Sequence, residues 1–222
     1  NSFTENTTTP NFSPRLSLSY NLSGKSSLNT NLGRYYQLPA YTILGFGLNN
    51  NFFNQDAEYI RCDHAVLGFE YNPSNYSKIT VETFYKQYDN YPFSIIDSIS
   101  LANLGGDFGV IGNEDISSIS KGRSYGVEFL AQQKLSSSIY GIMSVTYYKS
   151  EFEDKNGELI PTAWDNRFIF NMTAGKKLKR NIELGLKFRY SGGAPYTPID
   201  LATSSNVEIW NINQRGVLNY NA

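Results

Sequence analysis

The sequence predicts an all-β protein, and specifically an antiparallel transmembrane β-barrel. Three observations predict this fold. Apolar and polar side chains alternate with a period of two in eight segments. The segments are roughly ten residues long, which is the length needed to cross a bilayer at a tilt. The connections between them are alternately short and long, as in barrels that have tight turns at one rim and long loops at the other.

The clearest predicted strand covers residues 182–191. Every second side chain from Ile182 to Tyr190 is apolar, and the intervening side chains are polar or small. Because successive side chains of a strand point to opposite sides, one face of this strand is apolar and the other is polar. The preceding segment, residues 168–175, alternates in the same way.

Six further segments fit the same template and cover residues 16–22, 27–35, 67–71, 79–86, 125–132 and 139–150. Short turns are predicted at residues 23–25, 73–76, 135–137 and 177–180. Long links are predicted at residues 36–64, 90–122, 153–164 and 192–213. A soluble β-sandwich would also alternate, but its strands are usually shorter and its loops need not sort by length onto two ends. The sequence therefore favours the barrel.

The composition agrees with a barrel and excludes several other classes. Aromatic residues make up 15% of the sequence and charged residues only 18%. The mean hydropathy of -0.40 would suit a soluble protein, but alternating strands also keep this average low. The net charge of -1 gives no electrostatic footprint for nucleic acid or anionic lipid. The single cysteine, Cys62, excludes an internal disulfide.

Several short motifs recur along these strands in a fixed order. They are Ser13-Pro14-Arg15, Gly33-Arg34-Tyr35-Tyr36-Gln37-Leu38-Pro39, Gly68-Phe69-Glu70-Tyr71, Thr83-Phe84-Tyr85-Lys86, Gly122-Arg123-Ser124-Tyr125-Gly126-Val127-Glu128, Trp164-Asp165-Asn166-Arg167 and Gly193-Ala194-Pro195-Tyr196-Thr197-Pro198. In this order and spacing they resemble TonB-dependent outer-membrane receptors, especially those of the Bacteroidetes type. Each motif alone is weak, and their combination is the specific signal.

The resemblance implies a 22-stranded barrel, of which residues 1–222 would form about eight or nine strands from the later half. The plug domain, the TonB-contacting segment and the closing strands are expected outside this sequence. The location implied is the cell outer membrane. The implied partners are outer-membrane lipid, the plug domain of the same parent chain, the TonB complex and an unknown small ligand, with no nucleic acid and no cofactor.

The function implied by the resemblance is TonB-coupled uptake of a scarce ligand, which is a siderophore, cobalamin, an oligosaccharide or a peptide. The alternatives are a passive outer-membrane pore and a soluble β-sandwich that binds a ligand. Aromatic and amide side chains in the long links suit such ligands. The candidate ligand-binding residues are Tyr36, Asn51, Phe52, Phe53, Asn54, Tyr91 and Phe93.

Charged side chains on the polar sides of the predicted strands form a second candidate set. They would line the lumen and contact the plug, because Lys or Arg facing lipid at mid-membrane costs about 2–4 kcal/mol. The set is Glu70, Glu82, Lys86, Glu128, Lys187 and Arg189. Aromatic residues near the strand ends are predicted to form the interfacial girdle. These are Tyr35, Tyr147, Tyr148, Trp164 and Tyr190.

The residues do not indicate an enzyme or a metal site. The one histidine, His64, follows Cys62 and Asp63, and a cluster without a fourth ligand at fixed spacing is more simply an ordinary loop histidine. The acidic stretch at residues 151–158 could hold calcium, but its spacing differs from an EF-hand loop, so a solvated loop is the simpler interpretation.

Overall fold

The computed structural model describes residues 10–48, 51–104, 112–196 and 198–209. The elements in chain order are β1 (Arg15–Ser23), β2 (Ser26–Gln37), α1 (Tyr41–Leu44), β3 (Gly47–Leu48), β4 (Asn51–Phe52), β5 (Ile60–Ser74), β6 (Ser77–Ser94), β7 (Ile99–Ser100), a 3₁₀ turn (Leu101–Asn103), β8 (Ile116–Ser136), β9 (Ile139–Glu153), β10 (Leu159–Pro161), β11 (Phe168–Lys177), β12 (Glu183–Ser191) and α2 (Leu201–Ser204). Within these ranges, neither α-helix has the length and apolar character needed to cross a membrane.

Eight long strands form one antiparallel sheet in the order β1-β2-β5-β6-β8-β9-β11-β12, so each long strand pairs with the next one along the chain. All eight predicted strands are confirmed. The short strands β7 and β10 pair with β6 and β9 respectively, and β3 and β4 form a separate hairpin. The described sheet is open, because β1 and β12 lie at opposite edges. A complete eight-stranded barrel is therefore not what these residues form.

The strand register sorts the side chains onto two faces. One row across the whole sheet contains Tyr20, Leu28, Phe69, Val81, Phe129, Val145, Phe170 and Tyr190. The adjacent row on the opposite side contains Ser19, Asn29, Gly68, Glu82, Glu128, Thr146, Ile169 and Ser191. We call these the apolar face and the polar face. Because apolar and polar side chains alternate along each strand, the whole sheet has one apolar and one polar face.

No part of the described chain covers the apolar face. Leu186 and Phe188 on β12 are 56% and 50% exposed. A β-sandwich would bury these side chains against a second sheet. The sandwich alternative is therefore wrong for the described residues.

Three strands extend well beyond their predicted limits. β6 has 18 residues and β8 has 21, and β5 begins at Ile60, so parts of the predicted links 36–64 and 90–122 are strand. The extensions escaped prediction because both of their faces carry polar side chains. Arg61 pairs in register with Asp89, for example, and the two side chains form an ion pair at 2.7 Å.

The connections at the long-link end of the sheet pack into a compact unit. We call residues 38–48, 51–59, 95–104, 112–115 and 154–167 the loop cap. Its buried apolar cluster, completed by the first residue of β8, consists of Ile43, Leu44, Ala57, Ile99, Leu101, Leu104 and Ile116. Opposite this end, the four short turns are confirmed at the ends of β1, β5, β8 and β11. The two ends of the sheet therefore differ completely in structure.

Candidate functional site

Asn54 joins three segments of the loop cap. Its side chain is fully buried, and its amide nitrogen donates to the carbonyl oxygens of Ile43 and Glu114, each at 2.9 Å. Its amide oxygen accepts from the backbone N–H of Ile116 at 3.0 Å. A buried amide whose donors and acceptor are all used has no group left for a ligand. We therefore assign Asn54 a structural role and remove it from the candidate ligand-binding set.

The remaining candidates in the first long link are accessible to different degrees. Asn51 is exposed and Phe52 is half-buried, both on β4. Phe53 is 42% exposed and its ring lies against that of Phe46, with centroids 5.7 Å apart. Phe53 and Asn51 thus present an aromatic ring and an amide on the outside of the cap.

Tyr36, Tyr91 and Phe93 lie on strands instead of in loops. Tyr36 pairs with Arg61 on the side of the sheet that carries the apolar face, away from the polar face. Tyr91 packs edge-on against buried Phe152, with ring centroids 4.7 Å apart, and borders the apolar cluster of the cap. Phe93 is half-buried on β6 opposite Ser100. The prediction that these three occupy loops is wrong.

The glycines of the segment Gly122–Glu128 make room for large rings on the polar face. Gly122 faces Phe152 across β8 and β9, and a Cβ atom at Gly122 would overlap the Phe152 ring. Gly126 similarly faces Tyr148, whose Cβ would lie 2.7 Å from an added Cβ atom. This packing is the physical reason for two glycines at this spacing, and it closes the base of the loop cap.

The six predicted lumen residues share one face of the sheet. The register places Glu70, Glu82, Lys86, Glu128, Lys187 and Arg189 on the polar face. Glu82 and Glu128 are direct cross-strand partners on β6 and β8. Neither forms an ion pair with any described residue, whereas Glu70 is bound to Lys78 at 2.5 Å. Two carboxylates that face each other directly across a ladder repel each other.

The five aromatic residues predicted to form the girdle do not share one surface of the structure. Tyr147 and Tyr190 lie on the exposed apolar face, where Tyr85 and Tyr125 also stack with ring centroids 6.3 Å apart. Tyr148 instead lies on the polar face and donates from its hydroxyl to the carbonyl oxygen of Trp164 at 2.5 Å. Tyr35 also lies on the polar face, beneath the guanidinium of Arg15. Trp164 lies in the loop cap and is 45% exposed.

A row of polar side chains, four of them charged, follows directly beyond the Tyr85–Tyr125 pair. The row runs through Arg34, Asp63, Gln87, Arg123 and Glu151. Arg34 and Asp63 form a two-pronged ion pair at 2.6 and 2.8 Å. Sequence reasoning missed these pairs because their members lie about 28 residues apart along the chain and no local pattern links them.

Glu151 belongs to this row, lies at the loop-cap end of β9 and is only 4% exposed. Arg123 contacts its carboxylate at 3.1 Å, and Lys149 contacts the other oxygen. Burial raises the pKa of the Glu151 carboxyl, but the hydrogen bonds from Lys149 and Arg123 outweigh burial and hold the pKa below its ordinary value. Glu151 is thus charged and already paired.

Neither suggested metal site forms in the described part of the chain. Cys62 and His64 project onto the polar face while Asp63 projects to the other side, towards Arg34. His64 lies on β5, so its placement in a loop was wrong. In the acidic stretch, Asp154 accepts from the N–H groups of Asn156 and Glu158 at 2.8 and 2.9 Å, which shapes a turn. No three His, Cys, Asp or Glu side chains among the described residues converge on a metal position.

Comparisons with known proteins show which family and which solved structures this chain is similar to. Residues 1–221 match the family model described as TonB dependent receptor-like, beta-barrel. No curated protein sequence matches the chain. The fold resembles that of the ferric-catecholate import receptor Fiu of E. coli K12, at 14% identity and a TM-score of 0.60, over 80% of this chain and 24% of that one.

Two further solved structures share the fold. The FrpB iron transporter of Neisseria meningitidis aligns with a TM-score of 0.60 at 15% identity, over 84% of this chain and 27% of its own. FpvAI in its complex with pyocin S2 aligns with a TM-score of 0.63 at 13% identity, over 86% and 24%. The chain therefore spans about a quarter of the length of these receptors. It belongs to the TonB-dependent receptor β-barrel family of the outer membrane.

Proposed function

We propose that this chain supplies wall and loops to an outer-membrane receptor that takes up a scarce ligand with energy from TonB. The observation that carries the proposal is the two-faced sheet, whose uncovered apolar face suits lipid and whose opposite face carries Glu70, Glu82, Glu128, Lys187 and Arg189. The family model supports the same function, because this family consists of transport receptors.

The ligand class is the open part of the proposal. Siderophores, cobalamin, oligosaccharides and peptides are all candidates. Iron chelates are the first to test, because two structures with this fold are described as a ferric-catecholate import receptor and an iron transporter. Within the loop cap, we assign first contact to Phe53 and Asn51, which are exposed and close in sequence. An aromatic face beside an amide suits a planar chelate or a sugar.

Uptake by intact cells tests the proposed function. Cells that carry or lack the gene would receive radiolabelled ferric siderophores, cobalamin, oligosaccharides or peptides, each with and without a functional TonB. We expect one ligand class to accumulate only when both gene and TonB are present. Accumulation that requires the gene but not TonB would support the passive pore and contradict energy coupling. The Phe53→Ala/Asn51→Ala variant should raise the half-saturating ligand concentration, and Tyr41→Ala, another exposed cap residue, is its matched control.

We also propose that the Glu82–Glu128 pair binds a cation of the plug domain. Gly68 lies beside this pair in register, and a Cβ at Gly68 would lie 3.1 Å from Cγ of Glu82. The glycine therefore leaves space next to the two carboxylates for an incoming side chain. A double substitution, Glu82→Gln/Glu128→Gln, should loosen the plug in the full-length receptor.

Cysteine labelling in the plug measures this loosening. We expect the Glu82→Gln/Glu128→Gln variant to expose buried plug positions to a soluble thiol reagent at lower urea concentration than the wild type. Glu114→Gln/Asp115→Gln in the loop cap removes the same charge and is the matched control. If both variants leave plug exposure unchanged, the pair does not bind the plug.

A further inference from the structure

The net charge of -1 hides a strong separation of charge between the two ends of the sheet. The short-turn rim comprises residues 23–26, 74–78, 134–139 and 176–183. Its only acidic residue is Glu183. Its cations are Lys25, Lys78, Lys134, Lys176, Lys177, Lys179 and Arg180. Averaging over the whole chain therefore cancels a local excess of positive charge at this rim.

Several of these cations already have partners. Lys78 is paired with Glu70, and the ammonium of Lys25 donates to the carbonyl oxygen of Pro73 at 3.2 Å. Lys177 lies opposite Glu183 in the ladder. The others are exposed and form no ion pair with any residue in the described ranges. They are Lys134, Lys176, Lys179 and Arg180.

Lys176 occupies an unusual position for a cation. The register places it on the apolar face, between Ile139 of β9 and Leu184 of β12, both of which are about half exposed. A lysine on the lipid-facing side is tolerated only near the interface, where its ammonium can reach polar headgroups. Lys176 therefore marks the level of the headgroups at the short-turn rim.

A depression of about 300 Å³ begins at Ala174, two residues before Lys176 on β11, and extends across the sheet to Ala131 of β8. The next residue on the same face of β11 is Ala174, which lies opposite Gly141. The small side chains at these positions and at Ala131 create the depression, which is bordered by larger residues. Its lining on this face includes Ile79, Ala131, Gly141, Met143, Met172 and Ala174.

We propose that this depression and the adjoining cations bind one anionic phospholipid of the inner leaflet. An acyl chain would occupy the apolar depression, and the phosphate would contact Lys176, with Lys179 and Arg180 of the next turn adding positive charge. A soluble acidic protein would be attracted by the same cations, but it would not use an apolar depression on the lipid side. The inference rests on the membrane position of the sheet and is independent of the transported ligand.

Native mass spectrometry of the full-length receptor tests this proposal. The receptor would be transferred into neutral micelles that contain either phosphatidylglycerol or phosphatidylcholine, and retained lipid would be counted. We expect selective retention of phosphatidylglycerol. Lys176→Gln/Lys179→Gln should reduce that retention roughly tenfold or more, because each cation near an anionic headgroup contributes roughly fivefold. Lys121→Gln/Lys155→Gln removes two exposed lysines from the long-link end and should have no effect.

A second variant separates the depression from the charges. Ala131→Leu fills the depression while keeping every cation, and leucine is well tolerated on a lipid-facing surface. It should lower retention of phosphatidylglycerol, whereas Val127→Leu on the same face should not. Equal retention of the two lipids by the wild type would overturn the proposal. So would displacement by free glycerol phosphate at the same concentration, which would indicate a headgroup-only anion site. Because the experiment measures lipid retention and not transport, either of these two results would leave the proposed uptake function unaffected.

Discussion

The loop cap and the apolar face of the sheet use the same kinds of side chain under opposite rules. In the cap, Leu44 is completely buried and Ile99 is 2% exposed. On β12, Leu184 and Leu186 are 58% and 56% exposed. The apolar groups of the cap pack on one another, as groups surrounded by water must, whereas in the proposed membrane position lipid would solvate the apolar face directly. On this proposal the chain folds against two solvents, water at the loop cap and lipid at the apolar face.

The same substitution in both regions gives the largest test of this contrast. Leu44→Ala should destabilise the cap by about 2–5 kcal/mol, because it loses buried contacts and leaves a cavity. Leu186→Ala should cost about 1–2 kcal/mol, because lipid fills the vacated space and only the transfer of methylene groups is lost. Hydrogen exchange in the cap and urea unfolding of the receptor in bilayers measure the two effects. Equal costs would contradict the two-solvent comparison.

The second-largest effect on stability is expected from a lysine on the apolar face of β12, compared with a lysine on its polar face. Phe188→Lys should destabilise the barrel by about 2–4 kcal/mol, because an ammonium near the middle of the bilayer has no polar partner. Arg189→Lys on the neighbouring polar position is the matched control and should be near neutral. Urea unfolding in lipid vesicles measures both. A neutral Phe188→Lys would show that this face does not contact hydrocarbon.

Removing the Asn54 amide at the centre of the loop cap should give a smaller, local effect. Asn54→Ala removes the partner of the Ile116 N–H and a donor from each of the Ile43 and Glu114 carbonyl oxygens, and should lower the stability of the cap by about 1–3 kcal/mol. The strands should keep their full protection. Hydrogen exchange at residues 40–46 and 114–116 measures the loss, and Asn51→Ala on exposed β4 is the control. Faster exchange throughout the sheet would mean that cap and sheet unfold together.

Lowering the pH should give the smallest effect on stability, and it should again distinguish the loop cap from the apolar face. The pKa of Glu151 lies below its ordinary value of 4.5 in the folded state, so its stabilising contribution is complete above that pH. The contribution is lost as the pH falls through the folded pKa, when the ion pairs with Arg123 and Lys149 break. Hydrogen exchange of the cap between pH 6 and 3 should show this loss, and Glu151→Gln should remove the pH dependence. An unchanged pH profile in that variant would assign the acid sensitivity to other groups.

Much of the sheet could be predicted because membrane strands carry their environment in their local pattern. The alternation at residues 182–191 predicted both the strand β12 and its exposed apolar face. The outer parts of β5 and β6 could not be predicted in this way. There Arg61 and Asp89 face the same side as the apolar residues, so the hydrophobic alternation stops while the hydrogen-bonded ladder continues.

The candidate site was predicted less well than the fold. All six charged residues assigned to the polar face lie there, because a period of two fixes the face once a strand is known. The burial or exposure of the aromatic and amide residues in the links was harder to predict. Asn54 is indistinguishable from Asn51 in sequence, yet one is buried at the centre of the cap and the other is exposed.

The sequence by itself determined the strands, their alternating faces, the short and long connections and the resemblance to a receptor family. These features depend on neighbours two residues apart or on local turns. Only the tertiary structure decided which loop residues are buried, which charges pair and where the unpaired cations collect. Those outcomes depend on residues such as Arg123 and Glu151, which are distant along the chain and meet only across the sheet.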